Sequence, residues 1–124
     1  MAAIERLVEV INAKDVAGMD EVFHDNAIME WPQSGERVLG AENRRAIYSR
    51  FPTVPHIAPK RLTTAEDLVV LEADLDYDGP KYSGVFIFEL RDGLIAHETA
   101  YWSEPFEAPA WRSEWVETAA PTTP

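Results

Sequence analysis

The run Val85-Phe-Ile-Phe-Glu-Leu-Arg-Asp-Gly-Leu-Ile-Ala-His-Glu-Thr-Ala-Tyr-Trp-Ser-Glu104 constrains the fold more than any other part of this chain. Two stretches of strand-forming residues flank Asp92-Gly93, a pair suited to a two-residue hairpin whose turn positions need positive φ. The C-terminal half must therefore build an antiparallel sheet. A strand alternates its faces, so Glu98 shares a side with Ala100 and Trp102, while His97 takes the other. If that side lines a cavity, Glu98 is a desolvated acid beside an indole, an arrangement that can move protons.

The rest of the chain supplies the layer that such a sheet needs. Ile4, Leu7, Val8 and Ile11 recur at helical spacing and predict a first helix over Ala2 to Lys14. Asp15 is placed to cap a second helix, with Val16, Met19, Val22 and Phe23 as its apolar stripe and His24 near its end. Ala27 to Trp31 reads as a short strand stopped by Pro32, with a return strand at Arg37 to Leu39. Gly40 to Arg50 reads as a third helix with Ala41, Ile47, Tyr48 and Phe51 inward. Pro52, Pro55 and Pro59 impose an extended connector that holds His56. Strands then follow at Arg61 to Thr64, Leu68 to Tyr77, Tyr82 to Arg91 and Leu94 to Ser103. In the first long one, Val69, Leu71, Ala73, Leu75 and Tyr77 form one face, and Glu72, Asp74 and Asp76 the other, as in a strand buried on one side.

Helices followed by a long meander make an α+β domain. The expected architecture is three N-terminal helices packed in a curved antiparallel sheet, a cone with an internal pocket. Residues 1–118 form this single domain, and 119–124 a frayed tail. Phe106, Trp111 and Trp115 are expected to fold back onto the domain.

Composition removes several function classes. With no Cys, disulfides, thiolate metal sites and Cys nucleophiles are out. The three His do not cluster, so no metal and no cofactor is expected. The net charge of −11 opposes nucleic-acid phosphates and anionic membrane surfaces. Met1-Ala-Ala-Ile-Glu-Arg6 has neither a basic leader nor an apolar core, so a cytoplasmic location is expected.

Three segments carry a resemblance to a known family. They are Phe23-His-Asp-Asn-Ala-Ile-Met-Glu-Trp-Pro32, Gly40-Ala-Glu-Asn-Arg-Arg-Ala-Ile-Tyr48 and Ala100-Tyr-Trp-Ser-Glu104. In this order they resemble the nuclear-transport-factor-2-like, or SnoaL-like, cone across about Ala2 to Glu104, and the scaffold is similar to ketosteroid isomerase. The resemblance implies the cone fold but not the isomerase machinery. The catalytic base falls at Trp31, the oxyanion-hole Tyr at Leu7, the protonated acid at Ile87 and a supporting Tyr at Phe23. Tyr48 alone matches. The essential Asp of the polyketide cyclases and epoxide hydrolases falls at Ala100, and the cyclase His at Glu98. Arg and Asp positions of the hydrolases fall among Leu71, Ala73 and Leu75.

Glu98 is the leading candidate for chemistry, and Tyr48 the candidate donor to a bound carbonyl or to Glu98. Trp31, Trp102, Tyr77, Leu7, Phe23, Leu71 and Ile87 would line the pocket, with Glu89 at its rim. The competing account is structural: Glu98 paired with a buried Arg, Tyr48 packed in the core, and the aromatics filling the cone. Two functions follow. One is a small-molecule enzyme that moves a proton on an apolar substrate bearing a carbonyl or hydroxyl, as in isomerisation, cyclisation or dehydration. The other is a non-catalytic binding or dimerisation module on the same fold. A homodimer is expected through the outer face of the sheet, where regular alternation puts Phe86, Phe88 and Leu90 beside His97, Thr99 and Tyr101.

Overall fold

The computed structural model describes residues 2–118; the expected frayed tail at 119–124 lies outside the described residues. Helix α1 (Ala2–Asn12) leads into a 3-10 helix (Val16–Glu21), then strands β1 (Phe23–Trp31) and β2 (Glu36–Leu39) and helix α2 (Gly40–Arg50). Four strands follow: β3 (His56–Ala65), β4 (Leu68–Asp76), β5 (Lys81–Arg91) and β6 (Leu94–Ser103). A second 3-10 helix (Ala110–Trp115) ends the described chain. The sheet order is β2-β1-β6-β5-β4-β3. It is a curved, unclosed sheet of the cone type. No described helix is long and apolar enough to cross a membrane.

The α+β cone agrees with the sequence reading, and three details correct it. The sheet is not wholly antiparallel, because β6 runs parallel to β1, with Met29 beside Glu98. The second helix is a single short 3-10 segment. Asp15 caps it by accepting from the Gly18 N–H at 3.1 Å. A Cβ at Gly18 would come within 2.7 Å of the Asp15 carboxylate and 2.8 Å of Val10, so the tight turn requires glycine there. Phe23 and His24 therefore begin β1 rather than end a helix.

The tail is the third correction. Phe106, Trp111 and Trp115 are 80%, 74% and 75% exposed, and do not fold back onto the domain. The 3-10 helix that carries both Trp residues buries none of its side chains.

The core sits between α1 and the concave face. Ile4, Leu7 and Val10 of α1 pack in one cluster with Val69, Leu71, Ala73 and Leu75 of β4. The opposite face of β4 is acidic, and two of its carboxylates are paired: Glu72 with Arg61, and Asp76 with Lys81 at 2.7 Å. Asn12 pins the end of α1 to β3, donating to the Ile57 carbonyl at 2.9 Å and accepting from its N–H at 2.6 Å. Asn12→Ala would leave both backbone groups of buried Ile57 without these partners. The expected loss is about 2 kcal/mol in urea unfolding; a change near zero would show that water replaces the amide.

Candidate functional site

One bulge decides what faces the cone. Asp92 and Gly93 take φ of 54° and 80°, the positive values of the expected tight turn. The ladder starts regularly, with Arg91 opposite Leu94 and Leu90 opposite Ile95. Ala96 then bulges, so Glu89 meets His97, Phe88 meets Glu98 and Phe86 meets Ala100. Paired residues share a face, so the extra residue reverses the parity of β5 relative to β6. Phe86 and Phe88 are consequently concave, not on the outer face where regular alternation put them.

Glu98, Ala100 and Trp102 line a cavity of about 330 Å³. Tyr48, Trp31, Tyr77, Leu7 and Leu71 also line it. Three expected lining residues do not. Ile87 and Glu89 lie on the outer face, Ile87 opposite Thr99 and Glu89 bonded to the His97 ring at 2.6 Å. Phe23 is buried in the core and stacks beneath the Arg44 guanidinium at 4.4 Å. Trp31 and Trp102 meet edge to face at 5.8 Å, and Tyr77 and Tyr82 likewise at 5.3 Å. Tyr82, Phe86, Phe88 and Phe51 join the lining although the sequence reading did not assign them to the pocket. Among the described residues, no group of His, Cys, Asp and Glu is arranged to hold a metal ion.

Glu98 is 4% exposed. No hydrogen bond to its carboxyl occurs among the described residues, and the competing ion pair with a buried Arg does not form. Burial raises this carboxyl to about 8, with Arg44 opposing the rise. At neutral pH the group is therefore mostly a neutral acid that can donate a proton. Burial likewise pushes up the Tyr48 hydroxyl, with Glu98 and Tyr77 adding to the effect, so it remains a donor. Tyr48 is half-buried and lines the cavity.

Arg44 is the residue that sequence reasoning missed. It is 2% exposed and donates to Asp20 at 2.7 Å. Among the described residues its Nε and Nη1 have no partner. Arg45 holds the other Asp20 oxygen at 3.1 Å. Burial raises the Asp20 carboxyl, but the hydrogen bonds from Arg44 and Arg45 outweigh this and hold it below its usual range. A signal was present: Arg44 precedes Tyr48 by four residues, which puts both on one face of α2.

Comparison with known proteins follows this geometry. No curated protein matches the chain. An NTF-2 like protein of unknown function from Burkholderia xenovorans LB400 is 37% identical, with a TM-score of 0.84 over 96% of this chain and 94% of that one. A proposed ketosteroid isomerase from Kribbella flavida DSM 17836 shares the fold at 21% identity, with a TM-score of 0.87 over 98% of this chain and 90% of that one. A proposed polyketide cyclase from Sinorhizobium meliloti shares it at 17% identity, with a TM-score of 0.71 over 82% of this chain and 94% of that one. Residues 4–98 match the model of the SnoaL-like domain, and the chain belongs to that family.

Proposed function

We propose that this protein is a cofactor-independent enzyme that moves a proton on a compact, apolar molecule bearing a carbonyl or hydroxyl. The observation that carries the reading is a buried, unpartnered carboxyl, Glu98, in the wall of an otherwise apolar and aromatic cavity. An acid without a partner is costly to bury, so packing alone does not account for it. The aromatic walls would grip a ring system. The Tyr48 hydroxyl would donate to the ligand's oxygen, and the carboxylate form of Glu98 would take a proton from the adjacent carbon and return it elsewhere. Isomerisation, cyclisation and dehydration all use such a step.

The test is hydrogen exchange on a bicyclic aryl ketone, 2-acetylnaphthalene, in deuterated buffer near pH 8. About half of the Glu98 carboxyls carry their charge there. The protein is expected to catalyse deuterium entry next to the carbonyl, and Glu98→Gln to lose at least about 100-fold of it, the usual worth of a general base. Binding is followed separately through quenching of tryptophan emission. Binding without exchange in either protein would favour the non-catalytic module.

The buried acid also predicts a pH dependence of stability. The unfolded chain releases this proton near 4.5, whereas the folded chain keeps it to about 8. The stabilisation is fully present below the lower value and is lost as pH rises through the higher one, a change on the order of 5 kcal/mol. Asp20, Glu72 and Asp76 have lowered values and act in the opposite sense, but they are common to both proteins compared. Between pH 5 and pH 8, the melting temperature of Glu98→Gln should therefore gain steadily on that of the native sequence. Parallel curves would show that Glu98 is ionised throughout.

A homodimer on the outer face completes the proposal. Val85 and Tyr101 pair there and are both exposed, beside Ile87 and Thr99, and the described tail leaves its own aromatics in solvent. A symmetric partner would cover this patch. Light scattering at tens of micromolar, on the order of a micromolar affinity, should give twice the mass of the chain; a monomer there would refute the dimer.

A further inference from the structure

Arg44 raises a separate question, because nothing in the packing explains why a guanidinium sits in the core of this small cone. An arginine that served only as a surface ion pair would keep its head in water. This head is buried, lies over the Phe23 ring, and has one anionic partner, Asp20, which it shares with Arg45. Two of its nitrogens have no acceptor among the described residues. Such an incompletely paired buried cation lowers stability, so packing alone does not account for it.

The fold brings that charge to bear on the cavity. Arg44 and Tyr48 stand one turn apart on α2, and α2 packs against β1. On β1, Met29 lies directly beside Glu98 of β6. Around Glu98 the neighbouring strands offer no charge, since Met29 of β1 and Phe88 of β5 are its lateral partners. His97 faces the opposite side, between Glu89 and Glu30. From α2, Arg44 acts on Glu98 and Tyr48 is coupled to it, while Tyr77, just after β4, and Tyr82 of β5 line the same cavity.

We propose that Arg44 is a positioning residue: it supplies the buried counter-charge against which Glu98 can give up its proton, and Asp20 meters that charge. The proposal rests on the reading of Glu98 as a proton-transfer group. When the Glu98 O–H bond breaks and its proton passes to the ligand, a carboxylate is left in a dry, apolar wall. A cation close by lowers the cost of that state, and the two unpaired nitrogens remain free to strengthen their hold on negative charge as it forms. Asp20 neutralises part of the guanidinium, so the acid is not ionised outright at rest.

The experiment reads Glu98 directly in the free protein, without a substrate. The protein is prepared with carbon-13 at the glutamate side-chain carboxyl, and the signal that disappears in Glu98→Gln is followed across pH by NMR. Arg44→Met is expected to move the midpoint up by about one pH unit or more, the usual effect of removing a nearby opposite charge. Asp20→Asn is expected to move it down, because the guanidinium is then uncompensated. A purely structural role would not give shifts of opposite sign. If Arg44→Met does not fold, Asp20→Asn decides alone: a downward shift supports the proposal, and no shift or an upward one overturns it. In folded Arg44→Met, an unmoved or lowered midpoint overturns it as well. Failure of ketone exchange in the native protein, with these shifts intact, would overturn the proposed enzyme but not the electrostatic link.

Discussion

The one-residue bulge at Ala96 governs the chemistry of this molecule. Without it, the Asp92-Gly93 hairpin would put Ile87 opposite Glu98 and turn the Phe86 and Phe88 rings outward. With it, both rings join Glu98 and Ala100 on the concave side. The cavity then gains its apolar wall beside the acid, and that wall holds Glu98 in its protonated form. The same shift sends Glu89 outward, where it bonds His97 and leaves the cavity with a single acid at its centre. A bulge costs little, since it sacrifices one step of a ladder, yet it sets the dielectric around the reactive group.

This explains how far the sequence could be read. The β4 alternation, the hairpin turn and the inward side of β6 all follow from short-range rules. A face assignment within one strand depends only on spacing, and a tight turn only on the two residues that form it. The 3-10 segment was less legible, because Asp15 and an apolar stripe look like the start of an ordinary helix, while the crowding of Gly18 by Val10 is tertiary. The parity of β5 was illegible for a similar reason. Nothing in Leu94-Ile-Ala-His announces a bulge, and a single extra residue reverses every side chain beyond it. Trp111 and Trp115 fail differently: the cost of exposing aromatics argues that they are covered, but it does not say by whom.

The resemblance to ketosteroid isomerase implies polar groups at the positions of Trp31, Leu7 and Phe23, where this chain is apolar or aromatic. Trp31 and Leu7 now add apolar surface to the cavity, and Phe23 supports Arg44 from below. The remaining polar chemistry is concentrated on β6 and α2. Glu98 on β6 and Tyr48 and Arg44 on α2 each stand on a regular element that packing holds in place. Rigid placement of this kind suits a small site, because a carboxyl without a fixed partner keeps its orientation only through the walls around it.

A buried acid lowers stability, so the rest of the cone must tolerate it. The tolerance comes from the far end of the sheet. There β4 presents an unbroken apolar face to α1, and Asn12 ties that helix to β3 on both sides of one peptide group. Leu7, Leu71 and Leu75 of this packing also form part of the cavity wall that Glu98 lines. Arg44 sits at the opposite end, over β1, in contact with the surface through Asp20. The two ends of the sheet thus differ: apolar packing and backbone hydrogen bonds hold the β3–β4–α1 end, whereas the β1–β6–α2 end carries the buried Arg44 and Glu98.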